Sequence, residues 1–445
     1  MDSLPSDQVP DLILPHNFTP RDYQLPSLKA LYAGIRRVIA VWHRRAGKEK
    51  TFVNYTAHAA FQRVGTYFYI FPTYQQARKV LWDGIDKSGF PFMAHFPKEI
   101  VKRKNESEMR LEFINGSAFQ LIGSDNIDSI VGTNPVGVVF SEYALQDPKA
   151  WDYLRPILRE NDGWAVFDFT PRGKNHGYEL YQMAKDNPEW FVSLLTIDDT
   201  GALTPADVQA ERDAGMAEEL IQQEFYVSFE GVQFGAYYGK ELKAAEDDGR
   251  VTEVRYEPGI GVETWWDLGV GDSTAIWFTQ TIGREVRIID YFETSGEGLP
   301  FYVKYMQSLP YVYSKHNAPF DIEVRELGTG RSRKETALSM GLKFDVVPKL
   351  SFEDGVEAAR SFLARCWFDK TKCSRGLNCL ASYHKEWDDK RTDWKSQPVH
   401  DWASHGADAF RYLAVGHKTT KAERAENTRI VHYEPEAAAV AWLGS

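Results

Sequence analysis

Short apolar runs alternate with helix-like segments in the first half of the chain. The runs cover residues 37–41, 66–71, 136–140 and 164–169, and they are rich in β-branched and aromatic residues. Strands that alternate with helices are typical of a mostly parallel sheet flanked by helices. The pattern therefore predicts an α/β domain over residues 1–240.

The second half opens with a different pattern. Three strand candidates, 263–268, 274–280 and 285–293, follow one another closely and predict a meander, after which helices and strands alternate. Glycines at 231, 235 and 239 punctuate an aromatic stretch, and this break predicts a domain boundary near residue 240. We expect a second α/β domain with a mixed sheet over 241–417. A tail without a clear core-facing stripe is expected over 418–445.

Composition narrows the class of protein. The 445 residues are 43% hydrophobic and 26% charged, which is enough apolar material for two or three cores. The net charge of −11 argues against a protein that coats nucleic acid by general basicity, so any DNA contact must be local. No signal segment or apolar run of about 20 residues is found, and we expect a cytoplasmic protein.

The three cysteines, Cys366, Cys373 and Cys379, are spaced like neither a paired CxxC zinc site nor a disulfide framework. We expect them to be buried or free thiols.

A candidate phosphate loop follows the first strand. Residues 42–48, Trp-His-Arg-Arg-Ala-Gly-Lys, lead into helix-like sequence from Glu49. Such a turn aims backbone N–H groups and a helix N-terminus at a polyphosphate, while Lys48 reaches the terminal phosphates. The loop departs from GxxxxGK[ST] because its first glycine is missing and Glu49 stands where Ser or Thr binds magnesium. For this segment alone, a basic strand-end loop without a ligand is the plainer alternative.

An acidic residue ends the apolar run 136–140, in the pair Ser141-Glu142. We predict that Glu142 orients or deprotonates the attacking water, although a solvated strand-end glutamate is the alternative. Position 141 would ordinarily carry the aspartate that binds magnesium. We hypothesise an exchange in which Glu49 supplies the carboxylate and Ser141 the hydroxyl, with Thr51 as a competing ligand.

Two further segments can complete a nucleotide site. Tyr23 and Gln24 precede a predicted helix, and an aromatic ring with a side-chain amide can stack on and read adenine. Residues 170–175, Thr-Pro-Arg-Gly-Lys-Asn, follow an apolar strand and offer polar groups, Thr170 and Asn175 among them, that can sense a γ-phosphate. A connecting turn explains the proline and glycine equally well.

These segments, in this order, resemble the large terminase subunits of tailed bacteriophages. The likeness covers most of residues 18–230 and includes residues 23–24, 44–48, 71–78, 141–142 and 170–175. It implies a P-loop ATPase domain of the RecA/ASCE-like kind that binds ATP and Mg²⁺.

The resemblance also implies roles for single residues. Lys48 matches the lysine that binds the ATP phosphates, within a loop that includes Arg45, Ala46 and Gly47, and Glu142 matches the catalytic glutamate. An arginine matching Arg44 or Arg45 stabilises charge in the transition state. The segment 170–175 matches the motif that links hydrolysis to DNA movement.

The second half carries isolated acids in apolar surroundings. Asp267 follows Trp265-Trp266, with Asp272 at the next turn, and Asp321 stands at a strand-like start within 319–325. An unpaired charge in a buried strand is costly, and a bound cation is one way to offset it. Each carboxylate taken singly is explained by a surface charge.

A third acidic segment comes late in the chain. If residues 401–412 form a helix, Asp401, Ser404, His405 and Asp408 fall on one face. Carboxylates from two strands and this helix can converge on two magnesium or manganese ions, which suits phosphodiester hydrolysis. A helix-face hydrogen bond is the alternative role of His405.

This set resembles the terminase nuclease domain, which has an RNase H-like fold. The resemblance assigns metal binding and catalysis to Asp267, Asp321 and Asp408, and metal binding also to Asp401. It implies two Mg²⁺ or Mn²⁺ ions and an endonuclease that cuts concatemeric DNA.

Two basic stretches offer phosphate contacts without base reading. The first is the glycine-punctuated loop 325–334, and the second is Lys370, Lys372 and Arg375, for which a solvated turn is the favoured interpretation.

The resemblance implies partners that the sequence does not display: double-stranded DNA, a small terminase subunit, and the portal of the procapsid, on which a homo-oligomeric, pentameric ring would act. It places the protein in the host cytoplasm and transiently at the portal vertex, and not in the mature virion. Two alternatives stay open: a helicase-like translocating ATPase with an inactive RNase H-like half, and a non-catalytic assembly module with a degenerate nucleotide site.

Overall fold

The computed structural model describes residues 12–125, 130, 132–230, 235–269, 273–325, 330–388 and 393–426. Contacts within the chain define two compact units. The first is Met1–Lys240 with Ala381–Ala403, and the second is Glu241–Leu380 with Ser404–Ser445. The division at residue 240 lies where the glycine-rich break stands in the sequence, whereas no sequence pattern foresees the return of Ala381–Ala403 to the first unit.

The first unit contains an eight-stranded sheet. Its strands are β1 (Arg37–Trp42), β2 (Thr66–Phe71), β3 (Val101–Asn105), β4 (Arg110–Phe113), β5 (Ala118–Gly123), β6 (Pro135–Ser141), β7 (Trp164–Phe169) and β8 (Trp190–Leu195). Their order is β3-β4-β5-β2-β6-β7-β1-β8. Antiparallel pairing is confined to β3, β4 and β5, and every other pair is parallel. The predicted mostly parallel sheet is confirmed, and β7 lies between β1 and β6, as in RecA/ASCE-like ATPases.

Helices cover both faces of this sheet. They are α1 (Leu25–Tyr32), α2 (Lys48–Gln62), α3 (Tyr74–Ala77), α4 (Lys149–Glu160), α5 (His176–Lys185), α6 (Ile197–Thr200), α7 (Pro205–Asp213) and α8 (Glu218–Glu224). Alternate residues of β1 enter different cores, Val38 with Phe52 of α2 on one face and Ile39 with Leu154 of α4 on the other. Because both faces are covered, the central strands are apolar along nearly their whole length.

The second unit contains a seven-stranded sheet. Its strands are β9 (Val251–Thr252), β10 (Val262–Asp267), β11 (Ser273–Ile282), β12 (Glu285–Ser295), β13 (Tyr313–Ala318), β14 (Phe344–Val346) and β15 (Cys366–Asp369), in the order β14-β13-β10-β11-β12-β15-β9. Strand β11 is antiparallel to β10 and β12, whereas β13 is parallel to β10 and β14. The five strands β14-β13-β10-β11-β12 have the order and directions of an RNase H-like fold, which confirms the predicted fold class of the second half.

The remaining helices are α9 (Gly239–Asp247), α10 (Leu299–Ser308), α11 (Arg333–Ser339), α12 (Phe352–Leu363), α13 (Ser374–Ser382) and α14 (Ser404–Glu426), and β16 (Lys385–Asp388) pairs with β17 (Asp393–Pro398). Helix α14 packs closely on the second sheet, where the Trp277 indole donates a hydrogen bond to the Gly406 carbonyl at 2.8 Å. A Cβ at Gly406 would lie 2.6 Å from the Tyr291 hydroxyl, so this close approach requires glycine.

Two local predictions for the acidic segments are wrong. Asp321 does not begin a strand: β13 ends before it, and a 3-10 turn covers Phe320–Glu323. Helix α14 begins at Ser404, so Asp401 is not on the helix. The Asp401 carboxylate instead accepts a hydrogen bond from the Ala403 N–H at 2.9 Å, a local bond that competes with helix formation.

Three further findings concern the whole chain. The cysteines are buried free thiols, as predicted. Helix α14 continues through Glu426, beyond the start of the expected tail, and residues 427–445 lie outside the described part. None of the helices described is long and apolar enough to cross a membrane.

Candidate functional site

The loop between β1 and α2 adopts backbone conformations that suit a phosphate loop. Arg45 has a φ of 71° and Gly47 a φ of 83°, both in the left-handed region that favours glycine. The Tyr23 hydroxyl and the Gln24 amide each donate a hydrogen bond to the Ala46 carbonyl at 3.0 Å. Tyr23 and Gln24 therefore brace the loop, and their contact with adenine stays a prediction.

Lys48 lies where three neighbouring strands end. Its ammonium group is 3.2 Å from the Glu142 carboxylate, donates to the Thr170 hydroxyl at 2.8 Å and reaches the Trp42 carbonyl at 3.3 Å. Its side chain is only 5% exposed. Desolvation would lower the pKa of Lys48, but the carboxylates of Glu142, Glu49 and Asp168 together raise it above its ordinary value. Lys48 therefore remains a cation in a buried place.

Glu142 stands at the tip of β6 in a strained conformation. Its φ of 53° is left-handed, which costs a non-glycine residue on the order of 1 kcal/mol and is often found at functional sites. Burial would raise the pKa of Glu142, but the charges of Lys48 and Arg172 outweigh it and lower that pKa. The Thr170 N–H approaches the Glu142 carboxylate at 3.5 Å. Glu142 is therefore an anion next to the group that matches the phosphate-binding lysine.

Two further carboxylates share this site. Burial, then the like charge of Glu142, raises the pKa of half-buried Glu49, although Lys48 opposes the shift. Asp168 on β7 is fully buried, and burial followed by the charge of Glu49 raises its pKa well above the ordinary range. The sequence analysis missed Asp168, although a single acid within the apolar strand Trp164–Phe169 is the same signal that singled out Asp267.

The hydroxyl groups proposed as magnesium ligands differ in their contacts. Thr51 is buried and donates to the Gly47 carbonyl at 2.9 Å, a bond within the first turns of α2. The Ser141 hydroxyl is fully buried and makes no hydrogen bond of ordinary geometry among the described residues. Which of Glu49, Ser141 and Thr51 binds magnesium stays a prediction.

Glu224 connects the phosphate loop with the segment 170–175. It is the last residue of α8, forms an ion pair with Arg172, and lies 4.0 Å from the Arg44 guanidinium. Its backbone carbonyl also accepts from the Arg44 N–H at 2.8 Å. The Arg45 side chain is exposed, and no ion pair or hydrogen bond of it is found in the described ranges. Glu224 is not among the site residues predicted from the sequence, because none of the motifs includes it.

Asn175 has a local structural role. Its carbonyl oxygen caps α5 by accepting from the Gly177 N–H at 3.0 Å, and its amide donates to the Ala144 carbonyl at 2.8 Å. These two bonds fix the end of the segment 170–175 next to the turn that follows Glu142. A contact between Asn175 and the γ-phosphate stays a prediction.

In the second unit, β10 and α14 bring two of the predicted acids together. Asp267 ends β10, and its carboxylate lies 2.9 Å from the Nδ1 atom of His405. Asp408, one turn after His405, pairs with Arg411 at 3.0 Å. Burial is the main cause that raises the pKa of Asp267; the hydrogen bond of His405 opposes the shift and the charge of Asp408 adds to it.

The charges of all three predicted acids affect the pKa of Tyr412. Burial, then the negative charges of Asp267, Asp408 and Asp321, raises the pKa of this phenol, while Arg411 opposes the shift. Asp321 thus contributes to the electrostatic surroundings of Tyr412, as Asp267 and Asp408 do. The predicted helix 401–412 includes Arg411 and Tyr412, but no role was predicted for either.

The predicted acids have the right ligand atoms for magnesium or manganese, but in the part of the chain that the structure describes they are not close enough together to bind one ion. Carboxylate oxygens suit magnesium or manganese, and the like charges of Asp267 and Asp408 favour a shared cation. Within the described ranges, no three His, Cys, Asp or Glu side chains are grouped closely enough to hold one ion. Asp401 precedes α14 and is grouped with the first unit, and Asp272 lies outside the described residues.

The basic stretches differ in their surroundings. Arg325 is exposed, Lys334 pairs with Glu323 at 2.9 Å, and residues 326–329 lie outside the described part. In the later stretch, Arg375 pairs at 3.2 Å with Glu293, whose side chain is 2% exposed. Arg375 is thus the ion-pair partner of a buried glutamate, whereas Lys370 and Lys372 are exposed in a turn, as the favoured interpretation expects.

No protein-family model and no curated protein matches this chain. Among solved structures, it is similar to the large terminase from a thermophilic bacteriophage in complex with ADP, with 15% identity over 88% of this chain and 98% of that one, at a TM-score of 0.41.

Separate domains match each half. The ATPase domain of the Thermus phage P74-26 large terminase is 20% identical over 49% of this chain and 100% of that one, at a TM-score of 0.40. The P22 large terminase nuclease domain is 15% identical over 38% of this chain and 89% of that one, at a TM-score of 0.31. At these values the matches describe a likeness and assign no residues. Both halves of the chain are thus similar to bacteriophage large terminases, the family that the sequence motifs resemble.

Proposed function

We propose that this protein is the large subunit of a terminase, which moves double-stranded viral DNA into a procapsid by ATP hydrolysis and cuts concatemeric DNA. The observation that carries the proposal is the presence of two different sites in one chain. One is Lys48 between Glu142 and Thr170 at the ends of parallel strands, and the other is Asp267 and Asp408 on an RNase H-like sheet and helix.

At the first site, Lys48 binds the β- and γ-phosphates of ATP in place of its present contacts. Glu142, an anion that is fixed at the tip of β6, orients the attacking water and accepts its proton. Ser141, Glu49 or Thr51 would hold Mg²⁺, which neutralises charge on the phosphate oxygens when bound. Arg44 or Arg45 stabilises the charge of the transferred group.

The contacts of Thr170 and Arg172 offer a route by which hydrolysis would be coupled to DNA movement. Thr170 touches both Lys48 and Glu142, so a change at the phosphates changes its partners. A movement of Arg172 would shift Glu224, its ion-pair partner. The Glu224 carbonyl also accepts a hydrogen bond from the Arg44 N–H in the phosphate loop. We infer that this chain of contacts transmits hydrolysis to the residues that grip DNA.

At the second site, Asp267, Asp321 and Asp408 would hold divalent ions, which activate water and stabilise the leaving oxygen of a phosphodiester when bound. Within the chain, His405 orients the Asp267 carboxylate, and Arg411 balances the charge of Asp408. The exposed side chains of Arg325 and Arg331 contact the DNA backbone.

The remaining parts of the proposal concern assembly. A small terminase subunit selects viral DNA, and several copies of this chain form a pentameric ring on the portal of the procapsid. Such a protein acts in the host cytoplasm and leaves the capsid after packaging.

Two variants test the proposal. ATP hydrolysis and plasmid cutting in Mg²⁺ or Mn²⁺ are measured for the parent protein, Lys48→Ala and Asp267→Asn. We expect Lys48→Ala to lower hydrolysis at least about 100-fold with cutting retained, and Asp267→Asn to lower cutting by a similar factor with hydrolysis retained. Loss of both activities in either variant contradicts two independent sites. A parent protein that hydrolyses ATP but never cuts DNA supports the translocating ATPase with an inactive second half.

A further inference from the structure

An ionisable side chain is buried at the nucleotide site without a role in the proposed function. Asp168 is 0% exposed, and neither of its carboxylate oxygens makes a hydrogen bond of ordinary geometry among the described residues. The Glu142 backbone N–H is near enough to oppose the rise in the pKa of Asp168, but burial outweighs it. Moving an ionised carboxylate from water into a protein interior costs several kcal/mol unless hydrogen bonds or a cation replace the water. A carboxylate at this position is therefore suited to a cationic ligand.

The sheet register places Asp168 beside Ser141, which stands where a magnesium-binding aspartate would ordinarily be found. Asp168 on β7 is the register partner of Ser141 on β6 and of Ala40 on β1. Register partners point to the same face of a sheet, and Ala40 belongs to the core that includes Phe52 of α2. Asp168 therefore points to the face that α2 covers, beside the position where a magnesium-binding aspartate would ordinarily stand.

The surrounding groups fit a hydrated cation. The hydroxyls of Ser141 and Tyr69 are both fully buried and, within the described ranges, make no hydrogen bond of ordinary geometry. The Ser141 hydroxyl is nevertheless near enough to the Tyr69 phenol to oppose the rise in its pKa. The negative charges of Asp168, Glu49 and Glu142 all raise the pKa of Tyr69, after burial, so its phenol lies close to these groups.

Lys48 does not neutralise Asp168 by direct contact. Its ammonium group pairs with Glu142 at 3.2 Å and with Thr170 at 2.8 Å. Three carboxylates and one ammonium group therefore share this site. Among the described residues, this leaves two carboxylates, Asp168 and Glu49, without a cation in direct contact. Glu49, the competing candidate, remains half-buried on α2 and keeps contact with solvent.

We propose that Asp168 supplies the carboxylate that holds the magnesium ion of the bound nucleotide, one strand away from its ordinary position at residue 141. Magnesium in nucleotide sites binds one or two carboxylates together with phosphate oxygens, and it keeps several waters. The Ser141 and Tyr69 hydroxyls would accept or donate hydrogen bonds to those waters. This inference rests on the proposed ATPase function and replaces the exchange between Glu49 and Ser141.

The test measures binding and not hydrolysis. Affinity for a fluorescent ATPγS analogue is titrated in EDTA and in Mg²⁺, and Mn²⁺ affinity of the protein–ATPγS complex is measured by electron paramagnetic resonance. We expect Asp168→Asn to bind the analogue in EDTA as tightly as the parent protein, and to lose at least about 10-fold in Mn²⁺ affinity. Asp162→Asn is the matched control, because exposed Asp162 precedes the same strand at its opposite end.

A swapped variant keeps the test valid if Asp168→Asn folds poorly. The double variant Ser141→Asp/Asp168→Ser has the composition and charge of the parent protein, with the carboxylate at the ordinary position. We expect it to recover Mn²⁺ affinity to within about threefold of the parent value, a residual effect below the 10-fold change that removal of a metal contact produces.

Three results overturn the inference. They are parent-like Mn²⁺ affinity in Asp168→Asn, a loss in Glu49→Gln in place of Asp168→Asn, and a loss of analogue binding by Asp168→Asn in EDTA. If the parent protein binds no analogue under any condition, the proposed ATPase function fails instead, so the two failures are distinguishable.

Discussion

The two units balance their buried charges in different ways. In the first, Lys48 is surrounded by Glu142, Glu49 and Asp168, so carboxylates outnumber the cation. In the second, Asp267 and Asp408 each have a partner within the unit, His405 and Arg411 respectively. The excess of carboxylates in the first unit favours binding of a further cation. In the second unit, the pairs Asp267–His405 and Asp408–Arg411 must separate before the two acids can bind a shared cation.

The origin of this difference lies in the secondary structure that supplies the groups. Residues at the nucleotide site come from the ends of adjacent parallel strands, where β1, β6 and β7 place Lys48, Glu142 and Thr170 together. The acids of the second unit depend on α14, where Asp408 and Arg411 are three residues apart and face each other. A strand-end site is fixed by the sheet, while a helix-face site includes its own counter-ions.

The largest expected effect concerns Glu142. Replacing it by glutamine removes the anion that orients water, and we expect ATP hydrolysis to fall about 10²- to 10⁴-fold. Because Lys48 remains, binding of ATPγS should change less than about threefold, far below the 10-fold that 1.4 kcal/mol would give. Steady-state hydrolysis and equilibrium titration measure the two effects. Hydrolysis within a factor of about three of the parent rate would remove Glu142 from catalysis, since a general base contributes at least about 100-fold.

A second prediction concerns the pH dependence of the second unit. Burial lowers the pKa of His316 to about 4 from 6.5, so the unfolded chain takes up this proton before the folded chain does. The contribution to stability is complete above pH 6.5 and is lost as the pH falls from 6.5 toward 4, on the order of 3 kcal/mol in total.

Hydrogen exchange of peptides from β10, β13 and β14, measured at several pH values, reports this loss. The variant His316→Gln should show a smaller change over the same range. An equal change in both proteins would assign the acid sensitivity to other groups.

The smallest expected effect concerns Arg411, which pairs with Asp408 and packs over the rings of Phe352 and Tyr412. Arg411→Gln should lower the unfolding free energy by about 1–2 kcal/mol. The variant should also show a larger rise in Tm on addition of Mn²⁺, because the Arg411 guanidinium no longer competes with the metal ion for Asp408. Thermal unfolding with and without Mn²⁺ measures this, with Arg287→Gln, half-buried beside Glu285, as the control. A smaller Mn²⁺ effect in Arg411→Gln would contradict the balance described for the second unit.

Much of the fold could be predicted because apolar runs are local signals. The runs at 37–41, 66–71, 136–140 and 164–169 match β1, β2, β6 and β7 to within one residue at each end. The three strands of the predicted meander are also present as β10, β11 and β12. Lys48 and Glu142 meet because parallel strands end at one edge of the sheet.

What could not be predicted depends on contacts between distant residues or on competing local bonds. The spacing of Asp401, Ser404 and Asp408 fits one face of a helix. However, the Asp401 carboxylate accepts a hydrogen bond from the Ala403 N–H, and the helix begins only at Ser404. Glu224 and Tyr412 gain significance only from neighbours that the fold supplies. Asp168 could have been noticed as a single acid in an apolar strand, but its position beside Ser141 follows only from the register of β6 and β7.

The most direct test of two separate sites is a crystal structure of the parent protein with Mn²⁺ and ATPγS, in which the anomalous signal locates the ions. We expect one ion beside the nucleotide phosphates near Lys48, and a separate ion or ion pair between Asp267 and Asp408 with Asp321 turned toward it. Ions at the phosphates alone, with the carboxylates of Asp267, Asp321 and Asp408 directed away from one another, would contradict the account of the second unit.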